Sequence, residues 1–207
     1  GYASVPDAVQ AIKLGAKDYL AKPVQMDELQ RQLKDIFRPK SVICDKNKDL
    51  LPRNSLQMQE VEHLVSTVAP FDISVLILGP NGAGKESVAQ RIHYIGERKD
   101  MPFVAVNCGV IPKELAPSLF FGHIKGTFTG ADANKDGYFE VAKGGTLFLD
   151  EIGELTPDIQ VLLLKAIEEK RFMPFGSDRE VESCFQLICA TNRRLGDDVR
   201  AGKFRLD

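Results

Sequence analysis

Residues 79–86 read GPNGAGKE and follow directly on the apolar run ISVLIL at 73–78. Gly79, Gly82 and Gly84 let a backbone turn sharply and approach an anion closely. Successive amide N–H groups, together with the positive end of a helix starting near Lys85, favour negative charge. Lys85 can then reach the β- and γ-phosphates of a nucleotide. A bare glycine turn from strand to helix is the rival reading, but the strand before and the helical pattern after supply the context a phosphate loop requires. One position departs from the pattern. After the lysine, where Ser or Thr is expected, stands Glu86, which cannot place a hydroxyl on magnesium, and Ser87 faces another way on a helix. The nucleotide-contacting set is Gly79, Pro80, Asn81, Gly82, Ala83, Gly84, Lys85, Glu86 and Ser87.

Magnesium must therefore lean on other groups. The strand-like TLFLDE at 146–151 delivers two adjacent carboxylates. Asp150 is expected to bind the metal through water, and Glu151 to orient or activate the attacking water. A solvated acidic turn is the bland rival. Asn192, in ATNR, is placed to sense the γ-phosphate, or else caps a helix. Asn107, ending FVAVN, could hydrogen-bond Glu151 and hold it idle, or simply sit in a turn.

Working outward, strands at 73–78, 103–107, 145–150 and 185–190 alternate with helices, notably 86–97 and 158–170. Met58, Val61, Val65 and Val68 mark a helix before the first strand. Near-continuous apolar strands imply a sheet covered on both faces. A parallel, doubly wound α/β sheet follows, with its site at the carboxyl ends of the strands.

Residues 1–39 read as helix, strand, helix. Val5, Ala8, Val9 and Ile12 keep helical spacing before Gly15, DYLAK suits a buried strand, and Met26, Leu29, Leu33, Ile36 and Phe37 form a second stripe. Three elements cannot enclose a core, so this reads as the tail of a larger α/β domain. The polar, proline-broken stretch 40–55 reads as a linker. The chain begins without methionine and ends at KFRLD with no helix stop, so a fragment at both ends is expected.

Composition excludes several classes. With 43% hydrophobic and 27% charged residues, the chain of 207 is expected to pack a core. A formal charge of −2 gives no general reason to expect nucleic acid on these residues. No apolar run reaches membrane-spanning length. Cys44, Cys108, Cys184 and Cys189 form no C-x-x-C pair, which suits reduced thiols in a cytoplasmic protein, with Cys108 and Cys189 on buried strands.

Residues 122–131, GHIKGTFTGA, place Phe128 and Thr129 between Gly126 and Gly130. A simple turn with a core-facing Phe and a partner-binding tip are equally compatible with these residues alone. Here a resemblance becomes specific. GPNGAGKE, VNC, FGHIKGTFTGA, GGTLFLDEIGEL, ICATNR and GKFR, in this order, resemble the central AAA+ domain of bacterial enhancer-binding proteins, the NtrC-like sigma-54-dependent transcription activators. The likeness covers about residues 47–207, with the AAA+ domain itself at 56–207. GTFTGA is its most selective element, and Glu occupies the position of Glu86 in that family.

The resemblance implies an ATP-hydrolysing ring, a hexamer, that uses magnesium and remodels sigma-54 RNA polymerase holoenzyme. Phe128 and Thr129 would contact sigma. Asn107 would relay nucleotide state and Asn192 would be the sensor. Arg205 matches the first arginine of the F-R-x-D segment, a finger acting on a neighbour's ATP. Residues 1–39 similarly resemble the end of a flavodoxin-like response-regulator receiver domain, with Lys22 before Pro23 as the phosphate-contacting lysine and Tyr19 as the aromatic switch. A sensor histidine kinase and enhancer DNA would be partners of the full-length protein. Leu119 and Ile124 stand where the family has glutamates, and Thr127 where it has alanine. Those departures motivate an alternative, a non-catalytic nucleotide-binding module with impaired sigma contact.

Overall fold

The computed structural model of the protein describes residues 55–128 and 131–206. The receiver-like reading of 1–39, with Lys22 and Tyr19, lies outside the described residues, as do Cys44, Thr129 and the linker up to residue 54. The described residues fall within the second of two compact units, Pro39–Asp207.

Helix α1 (Leu56–Val68) starts where the Ser55 hydroxyl accepts the Met58 amide at 3.3 Å, satisfying one donor that the helix leaves unpaired. Strand β1 (Val75–Leu78) runs into the glycine loop, and helix α2 (Lys85–Ile95) leaves it. Strand β2 (Phe103–Asn107) is followed by a 3₁₀ turn at Cys108–Val110, helix α3 (Ala116–Phe121) and helix α4 (Tyr138–Val141). Strand β3 (Thr146–Asp150) leads through a 3₁₀ turn at Ile152–Glu154 into helix α5 (Pro157–Glu169), which opens on a proline. Proline suits that position because its missing N–H would have had no helical partner. A short ribbon of β4 (Arg171–Phe172) and β5 (Val181–Glu182) precedes β6 (Gln186–Thr191) and helix α6 (Leu195–Arg200).

The main sheet has the order β1-β6-β3-β2, and all of its pairs are parallel. On one face, Val65 and Ala69, from α1 and its end, and Val88, Ala89 and Ile92 of α2 bury Phe103, Phe148 and Ile188. Side chains alternate between faces along a strand, so Leu147, Leu149 and Leu187 point the other way. Strands β3 and β6 sit inside the sheet, where the expectation of burial on both faces holds. It fails for β1. Leu76 is 49% exposed and Leu78 65% exposed, because β1 is an edge strand with one face uncovered. Cys108 is buried, but on the turn after β2 rather than on a strand.

A second packing centre was not legible beforehand. Phe139 is fully buried and meets the rings of Phe120, Phe121, Phe172 and Phe185 at centroid distances of 4.9–5.7 Å. Aromatic pairs in this range add stabilisation beyond buried area. This cluster fastens both feet of the 122–137 loop and the β4–β5 ribbon to the domain. Gly122 and Gly137 come so close that a Cβ on Gly137 would overlap the Gly122 amide and the Phe120 carbonyl.

Candidate functional site

Parallel register gathers the candidate residues at one edge. Leu78 pairs with Thr191, Leu149 with Cys189, and Asn107 with Asp150. The residues that follow, namely the glycine loop, Asn192 and Glu151, therefore emerge side by side at the carboxyl end of the sheet. Parallel α/β sheets place ligand sites there.

The loop takes the shape its glycines permit. Gly82 and Gly84 have φ of 78° and 80°, a region that residues with a Cβ rarely occupy. Gly84 serves as the N-cap of α2 without a side-chain cap, so the first-turn amides are left to an anion rather than to a protein oxygen. Lys85 is 8% exposed. Its Nζ donates to the carbonyls of Gly79 at 3.2 Å and Pro80 at 3.4 Å, and lies 3.7 Å from Glu151 Oε1. The side chain of Glu86 points away and accepts from Gln90 at 3.2 Å along the outside of α2.

Glu151 is one of two described non-glycine residues with positive φ, at 53°. Such a conformation costs on the order of 1–3 kcal/mol and persists where the surroundings impose it. The Glu151 amide donates to Asp150 Oδ1 at 3.0 Å. Asn192 reaches both neighbours: its backbone amide approaches Glu151 Oε2 at 3.5 Å, and its Nδ2 donates to Asn81 Oδ1 at 2.8 Å.

Asn107 does not do what its position allowed. Its side-chain oxygen accepts the Gly109 amide at 2.9 Å, capping the 3₁₀ turn. Glu151 is instead held between Lys85 and Asn192. The contact to Gly109 is a local one, the Asx turn that a carboxamide at a strand end commonly makes with the amide two residues on.

Arg193 was missed. Its guanidinium donates to Gly153 O at 2.9 Å, Glu154 Oε1 at 3.1 Å and Asp198 Oδ1 at 2.7 Å. The hydrogen bond to Asp198 raises its pKa further. It thus ties the turn after Glu151 to α6. In the sequence it is one of two consecutive arginines, with nothing to distinguish it.

Below the acidic pair, burial pushes the Cys108 thiol above its usual range, with Cys189, Asp150 and Glu151 adding in that order. The thiol is therefore protonated and unreactive. Arg205 is exposed, with its backbone amide held by Gln160 Oε1 at 3.0 Å.

Phe128 is 42% exposed, and its ring meets His123 edge-on at 5.0 Å. His123 is held in turn by Ser118 Oγ at 2.7 Å. The three departures separate. Leu119 is a core residue of α3. Ile124 and Thr127 lie against the turn at Phe175–Gly176, where the Ile124 amide donates to Phe175 O at 3.0 Å. The Thr127 hydroxyl lies 2.6 Å from Ile124 O and 3.1 Å from Phe175 O.

The described residues fit a magnesium nucleotide. The loop offers uncapped amides and a buried lysine, and Asp150 stands at the adjacent strand end. Among the described residues no group of three or more His, Cys, Asp or Glu side chains is arranged to hold a metal ion by itself. A metal here would therefore draw remaining ligands from phosphate and water, as magnesium commonly does. Among the described residues no helix is long and apolar enough to cross a membrane.

Comparison with known proteins places this geometry. The chain is 40% identical over 208 residues to the transcriptional regulatory protein GlrR of Escherichia coli (strain K12), covering 100% of this chain and 47% of that protein. It is 43% identical over 209 residues to the response regulator protein PilR of Pseudomonas aeruginosa, with the same coverage. Among solved structures, NtrX from Brucella abortus in complex with ATP shares 31% identity at a TM-score of 0.69, covering 99% of this chain and 47% of that chain. The chain thus spans about half the length of the curated relatives it matches. Its sheet is of the AAA+ P-loop NTPase type, and residues 51–207 match the sigma-54 interaction domain. That match spans the glycine loop and the acid pair at one end of the parallel sheet and the GTFTGA segment of the sequence: the chain belongs to the sigma-54 interaction domain family.

Proposed function

We propose that this chain is the ATP-hydrolysing motor of a sigma-54-dependent response regulator, and that it remodels sigma-54 RNA polymerase holoenzyme to activate transcription. The observation that carries the reading is the approach of Lys85 Nζ to Glu151 Oε1 at 3.7 Å, which sets the glycine loop beside the acid pair. The amides of Gly82, Gly84, Lys85 and Glu86 and the ammonium of Lys85 would bind the triphosphate. Asp150 would hold magnesium, which supplies charge neutralisation on phosphate oxygens when bound. Glu151 would leave Lys85 and orient the attacking water, accepting its proton. Asn192, between Asn81 and Glu151, would report on the γ-phosphate. Arg205 would act on a neighbour's nucleotide in a hexameric ring, and Phe128 and Thr129 would meet sigma.

The full-length protein would work in the cytoplasm, receive its signal from a sensor histidine kinase and bind enhancer DNA through residues outside this chain. Lys85→Ala is expected to abolish ATP binding. Thr129→Ala is expected to leave hydrolysis largely intact and stop promoter opening. Unchanged transcription by the Thr129 variant would falsify the loop assignment.

One observation favours the second reading, a nucleotide-binding module with impaired sigma contact: the Thr127 hydroxyl sits on the Phe175 carbonyl and restrains the foot of the loop. Capture of sigma-54 in the presence of an ATP transition-state analogue separates the two. Robust nucleotide-dependent capture ends the second reading.

A further inference from the structure

Gln160 lies on α5 and is 6% exposed. Buried carboxamides need partners for two donors and an acceptor. Here all are met by backbone from two distant places. Nε2 donates to Leu155 O at 2.9 Å and to Lys203 O at 3.1 Å, while Oε1 accepts the Arg205 amide at 3.0 Å. Toward residues 203–205 the carboxamide behaves as a neighbouring strand would, taking one carbonyl and giving one acceptor on either side of Phe204. Toward Leu155 it holds the end of the 3₁₀ turn that begins directly after Glu151.

The same two segments are joined a second time. Arg193 binds Gly153, Glu154 and the Asp198 carboxylate, and the Asp198 carbonyl accepts the amides of Lys203 at 2.8 Å and Phe204 at 3.2 Å. Two connections of different chemistry thus run from the Glu151 turn to the backbone that carries Arg205. Only the Gln160 connection reaches Arg205 itself.

We propose that Gln160 is a positioning residue: it sets the backbone of Lys203–Arg205 against the turn that follows Glu151, and so aims Arg205 at a nucleotide bound by a neighbouring copy. The aim of Arg205 rests on the function proposed above; the backbone role of Gln160 does not. A shift of the Glu151 turn is handed to Arg205 itself through the Gln160 side chain, alongside the Arg193–Asp198 connection that ends on Lys203 and Phe204, and this couples a protomer's own site to its action on the next.

The test uses the full-length protein with Gln160→Met, which keeps length and an unbranched stem but removes every polar atom, and Gln160→Glu, which keeps the acceptor for the Arg205 amide while losing both donors. Hydrogen exchange of the Arg205 amide is expected to rise about fivefold or more in Gln160→Met and less in Gln160→Glu. Turnover of ATP in Gln160→Met is expected to fall at least about tenfold with KM little changed, the pattern of an interaction used only in the transition state. Combining Gln160→Met with Arg205→Ala should cost no more than Arg205→Ala alone. Additive losses, or Arg205 exchange equal to the parent, overturn the proposal. If Arg205→Ala alone leaves turnover intact, the finger role of Arg205 fails, and the exchange rates still decide whether Gln160 sets this backbone.

Discussion

The ammonium of Lys85 stands 3.7 Å from the carboxylate of Glu151, across 66 residues of sequence. Among the described residues Lys85 otherwise bonds only to loop carbonyls, and Glu151 is otherwise reached by one long contact from Asn192. Removing the charge of Glu151 while keeping its shape isolates its chemical role. Glu151→Gln is expected to retain nucleotide binding and lose about 10²–10⁴-fold in turnover, the usual contribution of a positioned base. Phosphate release and equilibrium nucleotide binding, measured on the same preparation, check it. Turnover near the parent rate sinks the assignment.

His93 predicts a pH dependence of stability. It is 1% exposed, bonded through Nδ1 to Thr146 Oγ1 at 2.9 Å and set against Phe103. Burial, helped by Arg98, pushes its pKa from 6.5 down to about 4. The unfolded chain therefore takes up a proton below its ordinary pKa that the folded protein refuses. Stability from this residue is complete above pH 6.5 and is lost as pH falls toward about 4. About 2 kcal/mol of it is expected to disappear between pH 7 and about pH 5. Urea midpoints across that range, compared with a His93→Gln variant that lacks the titration, read it out. Parallel profiles for the two proteins would contradict the burial argument.

Arg193 is expected to matter for stability through geometry rather than charge alone. Its three partners belong to the 3₁₀ turn and to α6, and Glu154 is half exposed, so solvent screens part of the gain. Arg193→Ala is expected to cost about 1–2 kcal/mol in chemical unfolding. Arg193→Lys should recover less than half, because a point ammonium cannot serve carbonyl and carboxylates together. Full recovery by lysine excludes the fork-like role.

At the foot of the loop, Gly137→Ala forces a Cβ into the Gly122 amide and the Phe120 carbonyl. Backbone cannot yield as a flexible side chain does, and overpacking of this kind costs about 1–3 kcal/mol or more. A drop in melting temperature with faster hydrogen exchange across residues 122–137 is the expected signature. Gly82→Ala serves as contrast, since a Cβ there meets nothing within 4 Å and strains only the positive φ.

The loop–helix unit at 79–95, the acid pair at 150–151 and most of the sheet strands were legible because their signals are local: a glycine spacing, an apolar run, a carboxylate at its end. Observed strand limits differ from the expected ones by up to two residues, as at 75–78 against 73–78. The β4–β5 ribbon was invisible because two residues per strand give no periodicity to detect. Asn107 was a candidate relay by position, yet its side-chain oxygen accepts the Gly109 amide, a contact that only the folded backbone of the turn sets. Gln160 and Arg193 carry no motif of their own and acquire meaning from partners such as Lys203 and Gly153, which lie 43 and 40 residues away.

By itself the sequence determined the chemistry on offer: a phosphate loop, a lysine, two carboxylates and a Phe-Thr tip between glycines. Local patterns suffice for that, since each is written within about a dozen residues. Strand order and register were decided only by the tertiary structure. Placing β6 between β1 and β3 brings Asn192 to both Asn81 and Glu151 and leaves β1 at an open edge. The physical reason is that parallel pairing joins strands far apart in the chain, and alternation along one strand says nothing about which strand lies beside it.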